Sequence, residues 1–172
     1  GIETLVLIAK AAASFDIKYL TLFSFSKENW KRDPAEISNL MYLMESFESA
    51  YLDEIISNNI RVSVIGDIDT LAKPQKKIIK MVQERTQDNK GMRLIAAFNY
   101  SGRDEIIRAL KKILSDVQLA KISTDMINND LMSNYLDTAN IPDPDLIIRT
   151  SGEMRLSNFL LWQCAYSEFV LR

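Results

Sequence analysis

The sequence predicts an α/β fold with a mostly parallel central sheet flanked by helices. Three observations predict it. Short apolar runs rich in β-branched and aromatic residues, YLTLFSF, RVSVI, MRLIAAFN and DLIIR, are separated by longer segments whose apolar residues recur at helical spacing. The runs are nearly continuous in apolar residues, as strands covered on both faces are. Polar, turn-forming residues follow three of the four runs closely, and in parallel sheets ligands bind beyond the carboxyl ends of the strands.

In chain order, Ile2 to Phe15 carries Leu5, Ile8, Ala9, Ala12 and Phe15 at helical spacing, so an amphipathic helix ending at Asp16 is expected. Tyr19 to Phe25 is expected to be a buried strand. A domain that opens on a helix and then enters a core strand reads as one whose first strand is absent, a sign of truncation. Asp33 before Pro34 supplies an N-cap with proline at the first helical position, and Glu36 completes the pattern of a capping box. The helix that follows is predicted from Pro34 to about Ser57, with Ile37, Leu40, Leu43, Met44, Phe47, Tyr51 and Ile55 on one face. Core packing explains most faces of this kind; a face rich in Met and Phe can also line a cavity for an apolar ligand.

Arg61 to Ile65 is the second predicted strand, closed by Gly66 and Asp67, and Leu71 to about Thr86 is a Lys-rich surface helix. Met92 to Asn99 is the third strand. Tyr100, Ser101 and Gly102 make a tight turn into a helix from Arg103 to Val117, with Ile106, Ile107, Leu110, Ile113 and Leu114 inward. Ser123 to Tyr135 is expected to form two short helices, capped by Ser123 and Asn128. A loop from Asn140 to Pro144 leads to the fourth strand, Asp145 to Arg149.

At 172 residues the chain is long enough for one domain with a sizeable core, and residues 1–172 are taken as a single domain. With 21 basic and 23 acidic side chains it has no basic nucleic-acid face. Cys164 is the single cysteine, so no intrachain disulfide can form, and a cytoplasmic, reducing setting is favoured. No apolar run approaches the ~20 residues that cross a bilayer. The chain has no histidine, which removes His-based acid–base chemistry and His metal sites. Chemistry must run on carboxylates, amides, hydroxyls and guanidiniums.

The segment from Asp143 to Gln163, DPDLIIRTSGEMRLSNFLLWQ, concentrates those groups. Arg149 arrives at a strand end, Thr150, Ser151 and Gly152 turn the chain, and Arg155, Ser157 and Asn158 follow. Two guanidiniums, hydroxyls and a glycine make a cradle for phosphate or diphosphate. The competing explanation is that the arginines pair with surface carboxylates. A second polar cluster, Ser26 to Arg32, and a third, Asn99 to Arg103, are expected on the same rim. Trp30 lies in the second cluster, where such an aromatic serves as a packing lid about as often as it contacts a ligand. Neither G-x-x-x-x-G-K-[ST] nor G-x-G-x-x-G occurs, so a P-loop enzyme and a dinucleotide enzyme are both unsupported.

SFSKENWKR, RLIAAFNYSGRDEI from Arg93 to Ile106, and DLIIRTSGEMRLSNFLLWQCAYSEF from Asp145 to Phe169 together resemble the cis-prenyltransferases, most closely the bacterial undecaprenyl diphosphate synthases. The resemblance is collinear over the whole chain, and two such blocks do not coincide by chance. It implies an α/β fold with an apolar tunnel between sheet and helices. It further implies condensation of isopentenyl diphosphate onto an allylic diphosphate such as farnesyl diphosphate, with cis double bonds, to give a long-chain polyprenyl diphosphate that is the precursor of the cell-wall lipid carrier. Mg²⁺ is the implied cofactor. The implied assembly is a homodimer, with Phe159 to Phe169 a candidate interface, and the lipid product implies transient membrane association.

Carried over position by position, the resemblance assigns Arg149, Arg155, Leu156 and Ser157 to substrate binding, with both arginines and Ser157 on the diphosphate of isopentenyl diphosphate. Ser26, Lys27, Glu28, Trp30 and Arg32 line the substrate site. Asn29 falls at the family's proposed proton acceptor; an amide is a poor base, so positioning of substrate by Asn29, with a diphosphate oxygen as base, is the alternative. Glu168 matches a metal-linked carboxylate. The Pro34–Ser57 helix and the sheet face carrying Leu94, Ala96 and Phe98 are the expected tunnel wall, and tunnel length would set product length.

The sequence departs from the family at three places. The N-terminal Asp-Gly-Asn block with the principal Mg²⁺ carboxylate is absent, the C-terminal segment is absent, and Met154 stands where some relatives carry a histidine; a thioether is a poor ligand for a hard cation. Two weaker alternatives are a non-catalytic partner subunit of a prenyltransferase and a generic phosphate-binding α/β module. Lacking that carboxylate, the 172 residues alone are expected to be inactive. Farnesyl-primed incorporation of labelled isopentenyl diphosphate by this stretch checks the expectation, and full activity refutes it.

Overall fold

A computed structural model describes residues 2–150 and 152–171, so Ser151 of the predicted turn lies outside the described residues. The chain divides into two compact units, Gly1–Asn99 and Tyr100–Arg172. The α/β class and the parallel pairing are as the sequence predicts, with the strands in two ladders: three strands in one sheet and two in another.

In the first unit, α1 (Ile2–Ser14), α2 (Pro34–Ser57) and α3 (Lys73–Thr86) accompany β1 (Tyr19–Ser26), β2 (Arg61–Ile65) and β3 (Arg93–Tyr100). Sheet order is β1-β3-β2, and β2 pairs with β3 in parallel, from Arg61 opposite Arg93 to Ile65 opposite Ala97. The core joins Ala9 and Ala12 of α1, Leu52 and Ile55 of α2, Val82 of α3, and Ile60, Val62, Met92 and Leu94. Phe15, expected on the inner face of the first helix, lies past its end and is 79% exposed. The chain has already left helical geometry there, with Asp16 at φ 58°.

Edge strand β2 is covered by its neighbouring helix through side chains. Thr86 is fully buried, and its Oγ1 accepts from the Val62 N–H at 3.0 Å and donates to the Val82 carbonyl at 2.9 Å. Gln83 Oε1 accepts from the Val64 N–H at 3.0 Å. Two donors that an exposed edge would leave open are thereby used internally. The helix is thus Lys-rich on one side and a sheet cover on the other. It starts at Lys73 rather than Leu71, because Ile68–Thr70 forms a 3₁₀ turn and Pro74 follows at a position where its missing N–H costs nothing.

Helix α2 begins where the cap residues predict, with Asp33 accepting from the Ala35 N–H at 2.8 Å. Glu36, expected to reach back to the cap, accepts instead from the Arg32 guanidinium. An apolar cavity of about 490 Å³ lies within this unit. Leu40, Leu43, Met44 and Phe47 of α2 line it together with Leu94, Ala96 and Phe98 of β3, and α1 and α3 add Leu5, Ile8, Ile78 and Val82 to the lining.

The second unit holds α4 (Gly102–Gln118), α5 (Asn129–Tyr135) and the parallel pair β4 (Leu146–Arg149) and β5 (Glu168–Leu171). Strand β5 carries no strand pattern in the sequence, since EFVL shows no alternation, and all four of its residues are exposed. Within the expected interface stretch Phe159–Phe169, Leu160 and Cys164 are buried while Tyr166 is 98% exposed. No described helix is long and apolar enough to cross a membrane.

A buried carboxylate organises this unit. Glu105 of α4 accepts from the Tyr100 hydroxyl, the Asp137 N–H at 2.9 Å and Gln163 Nε2 at 3.2 Å. Arg108, one turn on, holds both oxygens of Asp137 at 2.7 and 2.6 Å and Asp104 at 2.8 Å. Burial alone would lower the Arg108 pKa, but these carboxylates outweigh it and hold the guanidinium above its ordinary value. Burial raises the Glu105 carboxyl, opposed in part by the hydrogen bonds from Tyr100 and Gln163.

The pH dependence follows from that sign. A carboxyl whose pKa rises on folding contributes most below its unfolded value and loses that contribution as pH climbs through the folded value. Glu105→Gln keeps the shape and removes the titration. Its urea midpoint is expected to fall less than that of the wild type between about pH 4 and about pH 8, as measured by circular dichroism.

Candidate active site

In the first unit the site residues stand at the carboxyl ends of three strands. Ser26 ends β1 and caps the 3₁₀ turn Lys27–Lys31. Its Oγ accepts from the Asn29 N–H at 3.2 Å, while Asn29 Oδ1 accepts from the Ser26 N–H at 2.8 Å. The Asn29 carbonyl is therefore a structural acceptor in the turn. This favours a positioning role for Asn29 over that of a free base.

Lys27 Nζ reaches Asp67 Oδ2, just past β2, at 2.6 Å. Trp30 packs edge-on against Phe25, with centroids 5.0 Å apart, and Phe25 stacks on Phe98 at 5.3 Å. Trp30 is 43% exposed, and its Nε1 donates to Asn99 Oδ1 at 2.8 Å. Asn99, at the end of β3 and 2% exposed, donates from Nδ2 to the Asp67 carbonyl at 2.7 Å and to Thr70 Oγ1 at 3.1 Å. The Asp67 N–H returns a bond to the Asn99 carbonyl at 3.1 Å.

This closeness requires glycine at 66. Its φ is +131°, and a Cβ there would lie 2.0 Å from the Phe98 carbonyl oxygen. Glu28 and Arg32 are exposed, with Arg32 paired to Glu36. Phe25 belongs both to the cavity lining and to the contact with Trp30, so the polar turn adjoins the apolar cavity.

In the second unit Arg149 ends β4. Its Nη1 donates to Ser157 Oγ at 3.0 Å and to the Arg155 carbonyl. The exposed Arg155 guanidinium pairs with Glu153 at 3.0 Å, as the surface-pairing explanation anticipates for one of the two arginines. Leu156 is half-buried between them. Ser157, Asn158 and Leu160 take positive φ values of 50°, 66° and 44°, which turns the loop sharply. An Arg–Ser pair on such a loop presents donors that an oxyanion can take up bidentately.

The structure does not bring Glu168 to Arg149. In the β4–β5 register Glu168 faces Leu146 and Arg149 faces Leu171, so the two stand about 10 Å apart along the ladder. Among the described residues no group of three or more acidic, Cys or His side chains forms a metal cage. Mg²⁺ is commonly held by one or two carboxylates plus substrate phosphates, and the exposed Glu168 fits such a donor set as one contributor. Met154 is 81% exposed and offers no hard donor.

Sequence pattern marks Asp67 only as a strand stop and Asn99 only as part of a rim cluster; the cue for their place in the site is that both stand at the ends of neighbouring parallel strands.

The fold and its strand-end polar turns define an α/β protein with a polar turn packed beside an apolar cavity in its first unit. A family model described as "Putative undecaprenyl diphosphate synthase" matches residues 1–172, and the chain belongs to that family. It is 50% identical over 169 residues to the isoprenyl transferase of Clostridium perfringens (strain 13 / Type A), covering 98% of this chain and 67% of the relative. It is 47% identical over 170 residues to the ditrans,polycis-undecaprenyl-diphosphate synthase ((2E,6E)-farnesyl-diphosphate specific) of Micrococcus luteus, covering 99% and 68%. Among solved structures, lavandulyl diphosphate synthase from Lavandula x intermedia, in complex with dimethylallyl diphosphate, superposes with a TM-score of 0.90 at 35% identity, covering 96% of this chain and 71% of that one.

Asn29→Ala leaves the Ser26 N–H without its acceptor and is expected to cost about 1 kcal/mol of stability. Asn29→Asp keeps the acceptor and should cost less; urea midpoints of the two variants check the difference.

Proposed function

We propose that the protein condenses isopentenyl diphosphate onto an allylic diphosphate such as farnesyl diphosphate, with cis double bonds, to make a long-chain polyprenyl diphosphate of the undecaprenyl type. The observation that carries this is the apolar cavity of about 490 Å³ whose Phe25 wall is packed on the polar turn Ser26–Arg32. That pairing suits an amphiphile with an anionic head and a hydrocarbon tail, and the volume falls in the range of sites that bury a ligand. Family membership supports the same reaction class.

In this reaction the allylic C–O bond breaks with its electron pair leaving on diphosphate. The alkene π pair of isopentenyl diphosphate then forms the new C–C bond from its terminal CH2, and a proton departs from C2, next to the cationic centre so formed, its C–H pair becoming the new double bond. Arg149, Arg155 and Ser157 hold the diphosphate of isopentenyl diphosphate through charge-assisted hydrogen bonds. Ser26, Lys27, Glu28, Trp30 and Arg32, in the first unit, line the substrate site. Asn29, committed to the turn, orients this lining, and a diphosphate oxygen takes the proton. The cavity lining keeps water from the developing cation and receives the growing chain. Glu168 would be one donor to a bound Mg²⁺, which would supply charge neutralisation for the departing diphosphate. We further propose a cytoplasmic homodimer that meets the membrane transiently through its lipid product.

Arg149→Ala in the full-length protein is expected to lower incorporation of isopentenyl diphosphate about 100-fold or more with an unchanged circular dichroism spectrum. Unchanged incorporation would overturn the assignment.

A further inference from the structure

The loop that carries Ser157 is anchored to the start of α4 by one residue. The first N–H groups of an α-helix have no partner inside the helix and must find one elsewhere. At α4 the Gly102 N–H donates to the Asn158 carbonyl at 2.8 Å, and the Arg103 N–H donates to Asn158 Oδ1 at 2.9 Å. Asn158 Nδ2 donates to Ser101 Oγ, the cap residue itself, at 2.6 Å. One asparagine therefore serves three consecutive residues of a helix start 55 to 57 positions away in sequence.

The approach is so close that residue 102 tolerates no side chain. A Cβ there would lie 2.9 Å from the Asn158 carbonyl oxygen and 2.9 Å from Leu161 Cγ. Because these N–H groups are committed to Asn158, the start of α4 offers no vacant anion site. Its role is to grip the loop.

The grip acts on backbone that does not favour its own conformation. Ser157 and Asn158 are successive left-handed residues, with φ 50° and 66°; asparagine tolerates this region, serine less so. Outside contacts must hold such a turn. Ser157 is also the residue whose Oγ meets the Arg149 guanidinium at 3.0 Å. We propose that Asn158 is a positioning residue for diphosphate binding: by capping α4 from outside the helix, it holds Ser157 in the left-handed conformation that places Oγ at Arg149. This rests on the assignment of Arg149 and Ser157 to the diphosphate.

The test is a double-mutant cycle on the full-length protein, reading the dissociation constant for isopentenyl diphosphate by calorimetry and kcat at saturating substrate. Asn158→Ala is expected to weaken binding about tenfold with kcat within about threefold of the wild type, since a displaced binding group costs affinity before chemistry. Ser157→Ala weakens binding by itself. If Asn158 acts through Ser157, Asn158→Ala in the Ser157→Ala background adds less than about twofold. Asn158→Gly keeps the left-handed backbone and the Gly102 bond while removing the side-chain arms. It is expected to weaken binding in the same way and serves if the alanine variant does not fold.

Multiplying effects in the cycle, or a folded Asn158 variant that binds like the wild type, overturn the proposal. Failure of the underlying assignment has a different signature: Arg149→Ala and Ser157→Ala both leave binding unchanged.

Discussion

The first unit depends on one constraint: the buried amide of Asn99 must satisfy its hydrogen-bonding capacity where no water reaches. It does so by accepting from Trp30 and donating to the Asp67 carbonyl and Thr70. The turn after β1 and the turn after β2 are thereby joined to the end of β3. A buried polar group left unpaired costs about 1–3 kcal/mol, so alternative arrangements of these loops are disfavoured. Asn99 holds φ 50°, a conformation asparagine tolerates better than most residues, and Gly66 opposite holds one that only glycine adopts freely.

The second unit solves a similar problem with charge. Glu105 sits 1% exposed and accepts from three separate segments, while Arg108 clamps Asp137 with both of its forks. A buried ionic network contributes less to net stability than to specifying a single arrangement, because each ion is costly unless its partners are in place. Here the arrangement specified is the path of the chain past Asp137 and through Gln163. Asn158 adds a neutral clasp on the same helix start.

Each unit thus places polar groups at strand ends and leaves its apolar work to packing. In the first unit both tasks meet at Phe25, which lines the cavity on one side and supports Trp30 on the other. An amphiphilic substrate needs that juxtaposition, because its charged head and hydrocarbon tail require opposite surroundings a few ångströms apart. The cap of α2 shows how local signals yield to such context. Asp33 caps as its sequence predicts, but the carboxylate of Glu36 is drawn to Arg32, a neighbour on the site turn.

Periodicity, caps and clustered donors are properties of neighbouring residues, so the α/β class, most helix and strand spans, and the polar segments Ser26–Arg32 and Arg149–Asn158 are legible in the amino-acid order. That order also marks the face of α2 and the β3 positions Leu94, Ala96 and Phe98 that together line a cavity. The folded chain adds that Asn29 is tied into a cap, that Asp67 and Asn99 brace the site turn, that Glu168 stands well down the ladder from Arg149, and that β5 exists at all. Each of these is a pairing between groups distant in sequence or a choice among several local partners. Such choices depend on which donors and acceptors burial leaves without water, and local pattern does not encode that.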